Sequence, residues 1–198
     1  MEALKVEIVS SHEIYKFGLL EINLHICKSL TGGNVFFCFT RRNFKSHDEI
    51  KLNKPSFEYN FYCPRDVVRN MLQELPGAIK YVNTLHKEWS NNTTEEMYSE
   101  VTRRLIALYN NKEYYLAIKQ SNMFGSYYIC LLRRKLNVIP IVETDFQFTV
   151  PAARELLSRL PTALNATDEL CFDKAIETSC WDKEPITIPL KRITTDMV

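Results

Sequence analysis

The sequence predicts an α+β fold made of two tandem repeats, each with four strands followed by one helix, that fold together as an intramolecular pseudo-dimer of curved antiparallel sheets. Three observations support this prediction. A strand-like segment recurs without gaps further along the chain, and so does a helix-like segment that begins near a proline. Within each copy, the apolar positions change from alternate residues to spacings of three and four, which mark strands and helices respectively.

The clearest repeat is the segment Val35 to Phe44 (VFFCFTRRNF), which aligns on Tyr127 to Leu136 (YYICLLRRKL) at an offset of 92, as from Arg41 to Arg133. The same offset places Glu21, Leu24, Ile26 and Gly33 on Glu113, Leu116, Ile118 and Gly125. Phe61 to Pro76 lies on Phe146 to Pro161 at an offset of 85, as from Pro76 to Pro161. The two offsets differ by seven residues, which predicts a loop insertion between Asn43 and Asn60 in the first copy.

The first copy contains four predicted strands and one helix. Strand patterns occur near Phe17 to Lys28, Asn34 to Phe44, Glu49 to Lys51 and Phe57 to Tyr62. Pro64 begins a predicted helix from Arg65 to Leu75, and Pro76 is expected to end it. The apolar stripe of this helix comprises Val67, Val68, Met71, Leu72 and Leu75.

The second copy repeats this order. Its strands are predicted near Leu105 to Asn110, Glu113 to Gln120, Ser126 to Lys135 and Val138 to Thr149, and Pro151 begins its helix. We therefore divide the chain into a first repeat (12–85), a linker (86–100), a second repeat (101–165) and a C-terminal extension (166–198). In the extension, we expect a short helix around Asp168 to Ile176 and an extended stretch from Ile186 to Leu190.

The composition excludes several classes of protein and site. A chain of 198 residues with 45% hydrophobic and 25% charged residues is typical of a globular protein, and its formal charge of +1 shows no bulk basicity. The N-terminal pattern does not fit a secretory signal, and no apolar run approaches membrane-spanning length, so we expect an intracellular protein that contacts no membrane. The six scattered cysteines and four dispersed histidines form no metal or catalytic motif. We expect no enzymatic activity, no cofactor and no metal.

Two segments carry a resemblance to a known family. Phe57 to Ile79 (FEYNFYCPRDVVRNMLQELPGAI) and Phe146 to Leu164 are similar to the last strand, the Ser/Thr-Pro helix entry and the Leu-rich helix of the positive-cofactor-four transcriptional coactivators. Each copy covers about half of the chain. The chain departs from the family where Cys63 and Val150 precede the prolines, and where Val68 and Ala153 replace the usual helix Trp.

The resemblance implies a function. Members of that family dimerise so that their sheets create a groove for single-stranded DNA, and the related purine-rich-element and Whirly proteins use a similar unit. The resemblance therefore implies a nuclear protein that binds single-stranded DNA, with RNA as an alternative. It would act in transcription, replication or genome maintenance beside other proteins of those processes, as a pseudo-dimeric monomer or a homodimer.

A repeated set of aromatic and basic residues is the predicted nucleic-acid site. If Phe37, Phe39, Ile129 and Leu131 pack under the helices, strand alternation places other side chains on the opposite face of each sheet. These side chains are Phe36, Arg42, Tyr128 and Arg134, and the neighbouring strands add His25, Tyr115 and Lys119. The remaining cations of the repeated strand, Arg41, Arg133 and Lys135, complete the predicted set.

Two alternatives stay open at this stage. Strand aromatics are commonly core or cross-strand packing residues, and arginines are commonly solvated or ion-paired. The same fold could also serve as a protein-interaction or scaffolding module. A continuous basic groove would favour nucleic-acid binding, whereas mixed charge beside an apolar patch would favour scaffolding.

Overall fold

The computed structural model describes residues 6–85 and 97–177, with side chains up to Leu170. The first half contains β1 (Val6–Phe17), β2 (Leu20–Ser29), β3 (Val35–Asn43), α1 (His47–Lys51), β4 (Phe57–Pro64) and α2 (Arg65–Thr84). The second half contains β5 (Tyr98–Tyr109), β6 (Lys112–Ser121), β7 (Tyr127–Lys135), β8 (Glu143–Thr149) and α3 (Val150–Glu177). Each half forms a four-stranded antiparallel sheet with its strands in sequence order, and a helix follows each sheet.

The two sheets repeat each other down to their irregularities. Strands β1, β2 and β3 have the same bounds as β5, β6 and β7 after the predicted offset is applied. Bulges at Val9 and Ile14 in β1 recur at Val101 and Ile106 in β5. Because a bulge bends a strand and increases its twist, its recurrence gives the two sheets the same local geometry. The predicted tandem four-strand-and-helix repeat is confirmed.

The predicted turn glycines have a common conformational role. Gly33 and Gly125 adopt φ values of 62° and 63°, in the left-handed region that favours glycine. In the second repeat, the Gly125 N–H donates to the Ser121 carbonyl at 2.8 Å, and the Ser121 N–H donates to the Ser126 carbonyl at 2.8 Å. The first repeat closes its equivalent turn with the same pair of hydrogen bonds. This turn sets the register between the second and third strands of each sheet.

The two repeats share one hydrophobic core. Phe39 of the first sheet contacts Phe146 and Phe148 of the second, with ring centroids 5.7 and 5.4 Å apart. Helix α2 packs on β5 and β6 of the second sheet, while α3 packs on β1 of the first sheet and along α2. Each helix therefore contacts the other repeat's sheet. The predicted stripe of α2 is confirmed at Val67, Val68, Met71 and Leu75, which are buried, whereas Leu72 is half-buried.

Several predicted element bounds are wrong. Glu49 to Lys51 belongs to α1 and not to a strand, because Ser46 caps the helix by accepting a hydrogen bond from the Glu49 N–H at 3.3 Å. Pro76 lies inside α2 instead of ending it. It is exposed, so its ring lies on the solvent side, where a missing backbone hydrogen bond is tolerated.

Other elements differ from the prediction in length. The predicted strand from Phe17 to Lys28 is interrupted by a turn at Gly18, and β1 precedes that turn. The first residues of β5 lie within the stretch predicted as a linker, and α3 includes the predicted short helix at Asp168 to Ile176. The predicted extended stretch at Ile186 to Leu190 lies outside the described residues. Within residues 6–85 and 97–177, neither long helix has the apolar length needed to cross a bilayer.

Candidate nucleic-acid interface

The strand register assigns the predicted site residues to two faces. In the first sheet, Phe36 lies opposite Cys27 and Arg42 opposite Glu21. In the second sheet, Tyr128 lies opposite Lys119 and Arg134 opposite Glu113. Paired residues share a face, and this outer face alternates with the buried face of Phe37, Phe39, Ile129 and Leu131. The outer face therefore carries the predicted residues Phe36, Arg42, His25, Tyr128, Arg134, Tyr115 and Lys119.

The outer-face arginines are held by carboxylates. The Arg42 guanidinium lies 3.6 Å from Glu21 and 3.4 Å from Glu58, and it donates to the Asn53 side chain at 2.6 Å. Arg134 lies 3.9 Å from Glu113 and 4.0 Å from Glu143. Acidic residues offset both charges, so neither arginine presents an unpaired cation on this face.

The remaining polar residues of the second outer face are paired in the same way. Lys119 lies 2.7 Å from Asp145, and this carboxylate keeps the pKa of the ammonium above its ordinary value although burial lowers it. The Tyr115 hydroxyl donates to Glu113 at 2.8 Å, and the Arg103 guanidinium lies 5.3 Å from the Tyr115 ring centroid. The charge of this face is therefore mixed and not continuously basic.

Two aromatic pairs lie on the outer faces, and each includes one of the equivalent residues Phe36 and Tyr128. Phe36 contacts Tyr62 edge to face, with centroids 5.9 Å apart, and Tyr128 contacts Tyr98 in the same manner at 5.7 Å. Phe36, Tyr98 and Tyr128 are half-buried, and Tyr62 is 39% exposed. Each pair thus offers part of its ring surface to solvent, as a base-stacking platform requires.

His25 lies at the centre of the first outer face, where burial dominates its chemistry. Its Nδ1 atom is buried and has no hydrogen-bond partner among the described residues. Desolvation lowers its pKa below the ordinary value, Arg42 and His12 act in the same direction, and Glu58 opposes them. His25 is therefore a neutral imidazole near neutral pH, and its buried Nδ1 atom is shielded from solvent.

Arg41 and Arg133 occupy equivalent positions on the other face of each sheet, beside the junction of the repeats. Arg133 stacks on the Phe61 ring at 4.9 Å and donates to the Tyr62 carbonyl at 3.2 Å. It also donates to the Thr144 hydroxyl at 3.2 Å. The contacts with Phe61 and Tyr62 join the two repeats, so Arg133 is a structural link between them.

Arg41 differs from its counterpart because it borders an open groove of about 380 Å³ between the repeats. The groove is lined from the first repeat by Arg41, Phe57 and Tyr59, and from the second by Tyr98, Thr144, Asp145, Phe146 and Gln147. We call it the seam groove. The Arg41 Nε atom is buried and has no hydrogen-bond partner among the described residues. Arg41 therefore lies in a groove together with several aromatic rings.

Of the eight groove residues, only Arg41 was predicted as a site residue, and the aromatic residues Phe57, Tyr59 and Tyr98 are among those missed. Phe57 and Tyr59 lie in β4, which was predicted as a strand from Phe57 to Tyr62, but neither residue was predicted as part of the site. Tyr98 lies in the stretch predicted as a linker. The repeat offset was one signal for Tyr98. It relates Tyr98 to Val6, and these residues begin equivalent strands in the two copies.

Two of the described cysteines, Cys63 and Cys130, offer little reactivity. Burial raises the pKa of the Cys63 thiol, and it raises the pKa of Cys130 to about 12. Both thiols are therefore protonated and shielded near neutral pH. Among residues 6–85 and 97–177, no group of three His, Cys, Asp or Glu side chains is arranged to hold a metal ion.

Neither a scan against protein-family models nor a search of curated proteins gave a match to this chain. The resemblance to the positive-cofactor-four, purine-rich-element and Whirly proteins stays a prediction.

Proposed function

We propose that this chain is a non-enzymatic protein that binds single-stranded nucleic acid, with an unpaired base and its phosphate held in the seam groove. The observation that carries the proposal is the position of Arg41 among Phe57, Tyr59 and Tyr98 in an open groove. Unpaired bases stack on aromatic rings with about 1–3 kcal/mol each, and an arginine beside them attracts the phosphate.

The arrangement of the repeats supports a pseudo-dimer. Phe61 and Phe146 are equivalent residues of the two copies, and their rings contact each other with centroids 6.4 Å apart. Contact between equivalent residues is what a two-fold axis produces in a symmetric dimer. Each helix also packs on the sheet of the other repeat. A groove at this junction therefore combines residues from both copies, as in the dimers that the family resemblance implies.

The ion pairs of the outer faces shift the proposed centre of binding toward the seam. Arg42 and Arg134 must give up carboxylate partners before they can contact a phosphate, which reduces the gain from binding. The Nε atoms of Arg41 and Arg42 are both buried without a hydrogen-bond partner, but among the described residues no carboxylate forms an ion pair with Arg41. The aromatic pairs Phe36 with Tyr62 and Tyr98 with Tyr128 then extend the path of the strand over the outer faces.

The proposed biological setting follows from the family resemblance. We propose a nuclear role in transcription, replication or genome maintenance, with single-stranded DNA as the ligand and RNA as the alternative. The partners would be proteins of those processes.

Fluorescence anisotropy of a labelled single-stranded oligonucleotide tests the proposal. We expect Arg41→Met to weaken binding about tenfold and to reduce the salt slope by about 0.7, the loss of one phosphate contact to a single strand. Arg159→Met, which removes the same charge from an exposed helix position, is the matched control and should bind like wild type.

The double variant Arg42→Ala/Arg134→Ala separates the seam from the outer faces, and it should bind with smaller losses than Arg41→Met. Equal losses in Arg41→Met and Arg159→Met would contradict a site at the seam. No binding by the wild type at low salt would contradict the proposed function itself.

A scaffolding function is the second candidate, and the mixed charge of the outer faces favours it. Such a function needs an apolar docking surface, and the second repeat offers one away from the seam groove.

A further inference from the structure

One end of the second sheet exposes a row of residues that the proposed nucleic-acid site does not use. The strand register places Tyr109 opposite Lys112, and Lys112 opposite Lys135. The Lys135 N–H donates to the Val142 carbonyl at 3.0 Å, so Val142 continues the row. Two lysines thus lie side by side between a tyrosine and a valine.

The loop before β8 adds apolar side chains to this row. Ile139 is 99% exposed and Ile141 is 60% exposed. The Leu136 N–H donates to the Asn111 carbonyl at 2.8 Å, which holds the loop against the β5–β6 turn. We call the set Tyr109, Lys112, Lys135, Ile139, Ile141 and Val142 the tip surface. Contiguous exposed apolar patches with polar residues at their rim mark interaction sites.

The paired lysines need an explanation in their own right. Like charges directly opposite each other on neighbouring strands destabilise a sheet. In the first repeat, the equivalent row runs from Phe17 to Leu20 and Asn43, without a charge. Burial lowers the pKa of Lys112, and the positive charges of Arg133 and Lys135 act in the same direction. The second repeat therefore contains a repulsion between two lysines that the same fold lacks in the first repeat.

We propose that the tip surface binds a short acidic and apolar peptide segment of a partner protein. A carboxylate of the segment would lie between Lys112 and Lys135, where it offsets their repulsion. Apolar side chains on either side of the carboxylate would cover Tyr109 in one direction and Ile139, Ile141 and Val142 in the other. This proposal is independent of the seam groove.

The charge of the tip surface opposes a second copy of this chain as its occupant, and the turn residues disfavour a lipid bilayer. Two copies of the chain joined through this surface would bring four lysines together, which opposes self-association. A lipid bilayer would have to accept Asn110, Asn111 and Asn137, which are exposed in the same turn and loop and whose amides are costly to bury in hydrocarbon. A peptide can satisfy these amides with its own backbone.

Fluorescence anisotropy of a labelled synthetic peptide of alternating Asp and Leu residues, titrated with the full chain, tests the proposal. We expect the wild type to bind, and Lys112→Glu/Lys135→Glu to weaken binding at least tenfold, equivalent to about 1.4 kcal/mol. Lys54→Glu/Lys80→Glu makes the same charge change at two exposed positions elsewhere and should leave binding unchanged. Ile139→Ser should also weaken binding while preserving the charge.

Three outcomes would overturn the proposal. The first is equal binding of a peptide with Asn in place of each Asp, since the lysine pair would then be irrelevant. The second is peptide binding that both charge-reversal variants weaken equally. The third is the absence of peptide binding while vesicles of phosphatidylcholine and phosphatidylserine bind through Lys112 and Lys135. Single-stranded DNA binding of the same variants is measured in parallel, so failure here is distinguishable from failure at the seam groove.

Discussion

Phe146 provides a direct test of the shared core. Its side chain is 1% exposed, and its ring contacts Phe39 and Tyr59 of the first repeat as well as Phe148 of its own. Truncation of a buried Phe to Ala costs about 3–5 kcal/mol, because transfer free energy and packing are both lost. We therefore expect Phe146→Ala to lower the free energy of unfolding by about that amount, a large share of the roughly 5–15 kcal/mol typical of a domain.

Equilibrium urea unfolding followed by far-UV circular dichroism measures the effect. Phe124→Ala, at a side chain that is 68% exposed, is the matched control and should change the unfolding free energy by less than about 0.5 kcal/mol. A double-mutant cycle with Phe39→Ala should give a coupling energy of about 0.5–1.5 kcal/mol across the two repeats. A loss below about 1 kcal/mol for Phe146→Ala, or a coupling energy of zero, would refute the reasoning.

Three further predictions concern single residues. Glu21→Gln should lower the free energy of unfolding by roughly 1–3 kcal/mol in the same urea assay, because Lys16 and Arg42 lose a buried carboxylate partner. An unchanged unfolding midpoint would argue against a stabilising role of these ion pairs. Gly125→Ala should lower the free energy of unfolding by about 1–2 kcal/mol. Because φ is 63° and no atom lies within 4 Å of an added Cβ, this penalty is conformational. Gly125→Asn should lower it by less, and equal losses would contradict a conformational origin. The pKa of His25 is lower in the folded state than in the unfolded chain, so the unfolded state binds more protons and stability should fall as pH drops below about 6.5. His25→Gln should reduce that slope in unfolding experiments across this pH range, and an identical slope in the variant would show that His25 is not responsible.

The repeat could be predicted from the sequence because equivalent positions of the two copies carry the same residue types. Gly33 and Gly125, and the paired arginines after them, fall at one offset. Most of β1 and the start of β5 could not be predicted by alternation, because bulges at Val9, Ile14, Val101 and Ile106 shift the apolar positions out of phase. Once the offset is known, each strand can be inferred from the other.

The candidate site was predicted in part. Strand alternation assigned Phe36, Arg42, Tyr128 and Arg134 to the outer faces correctly, because side-chain direction depends only on local geometry. Their ion pairs could not be predicted, since Glu58 and Glu143 come from other strands. The seam groove could not be predicted either. It depends on how Arg41 of one repeat meets residues of the other, and no local pattern encodes that packing.

The inference that the seam groove accommodates an unpaired base depends on aromatic residues from both repeats. Tyr59 comes from the first copy and Tyr98 from the second, and both line the groove beside Arg41. Their positions make the groove accessible to photochemical mapping, because a base stacked on a tyrosine ring is close enough to form a covalent adduct.

Ultraviolet crosslinking of a single-stranded oligonucleotide that contains 5-iodouracil, followed by mass spectrometry of the peptides, is the measurement that tests this claim most directly. We predict adducts on Tyr59 or Tyr98 in the wild type and their loss in Arg41→Met. Adducts confined to the tip surface, or an absence of adducts under conditions where the oligonucleotide is bound, would contradict the seam groove as the site of binding.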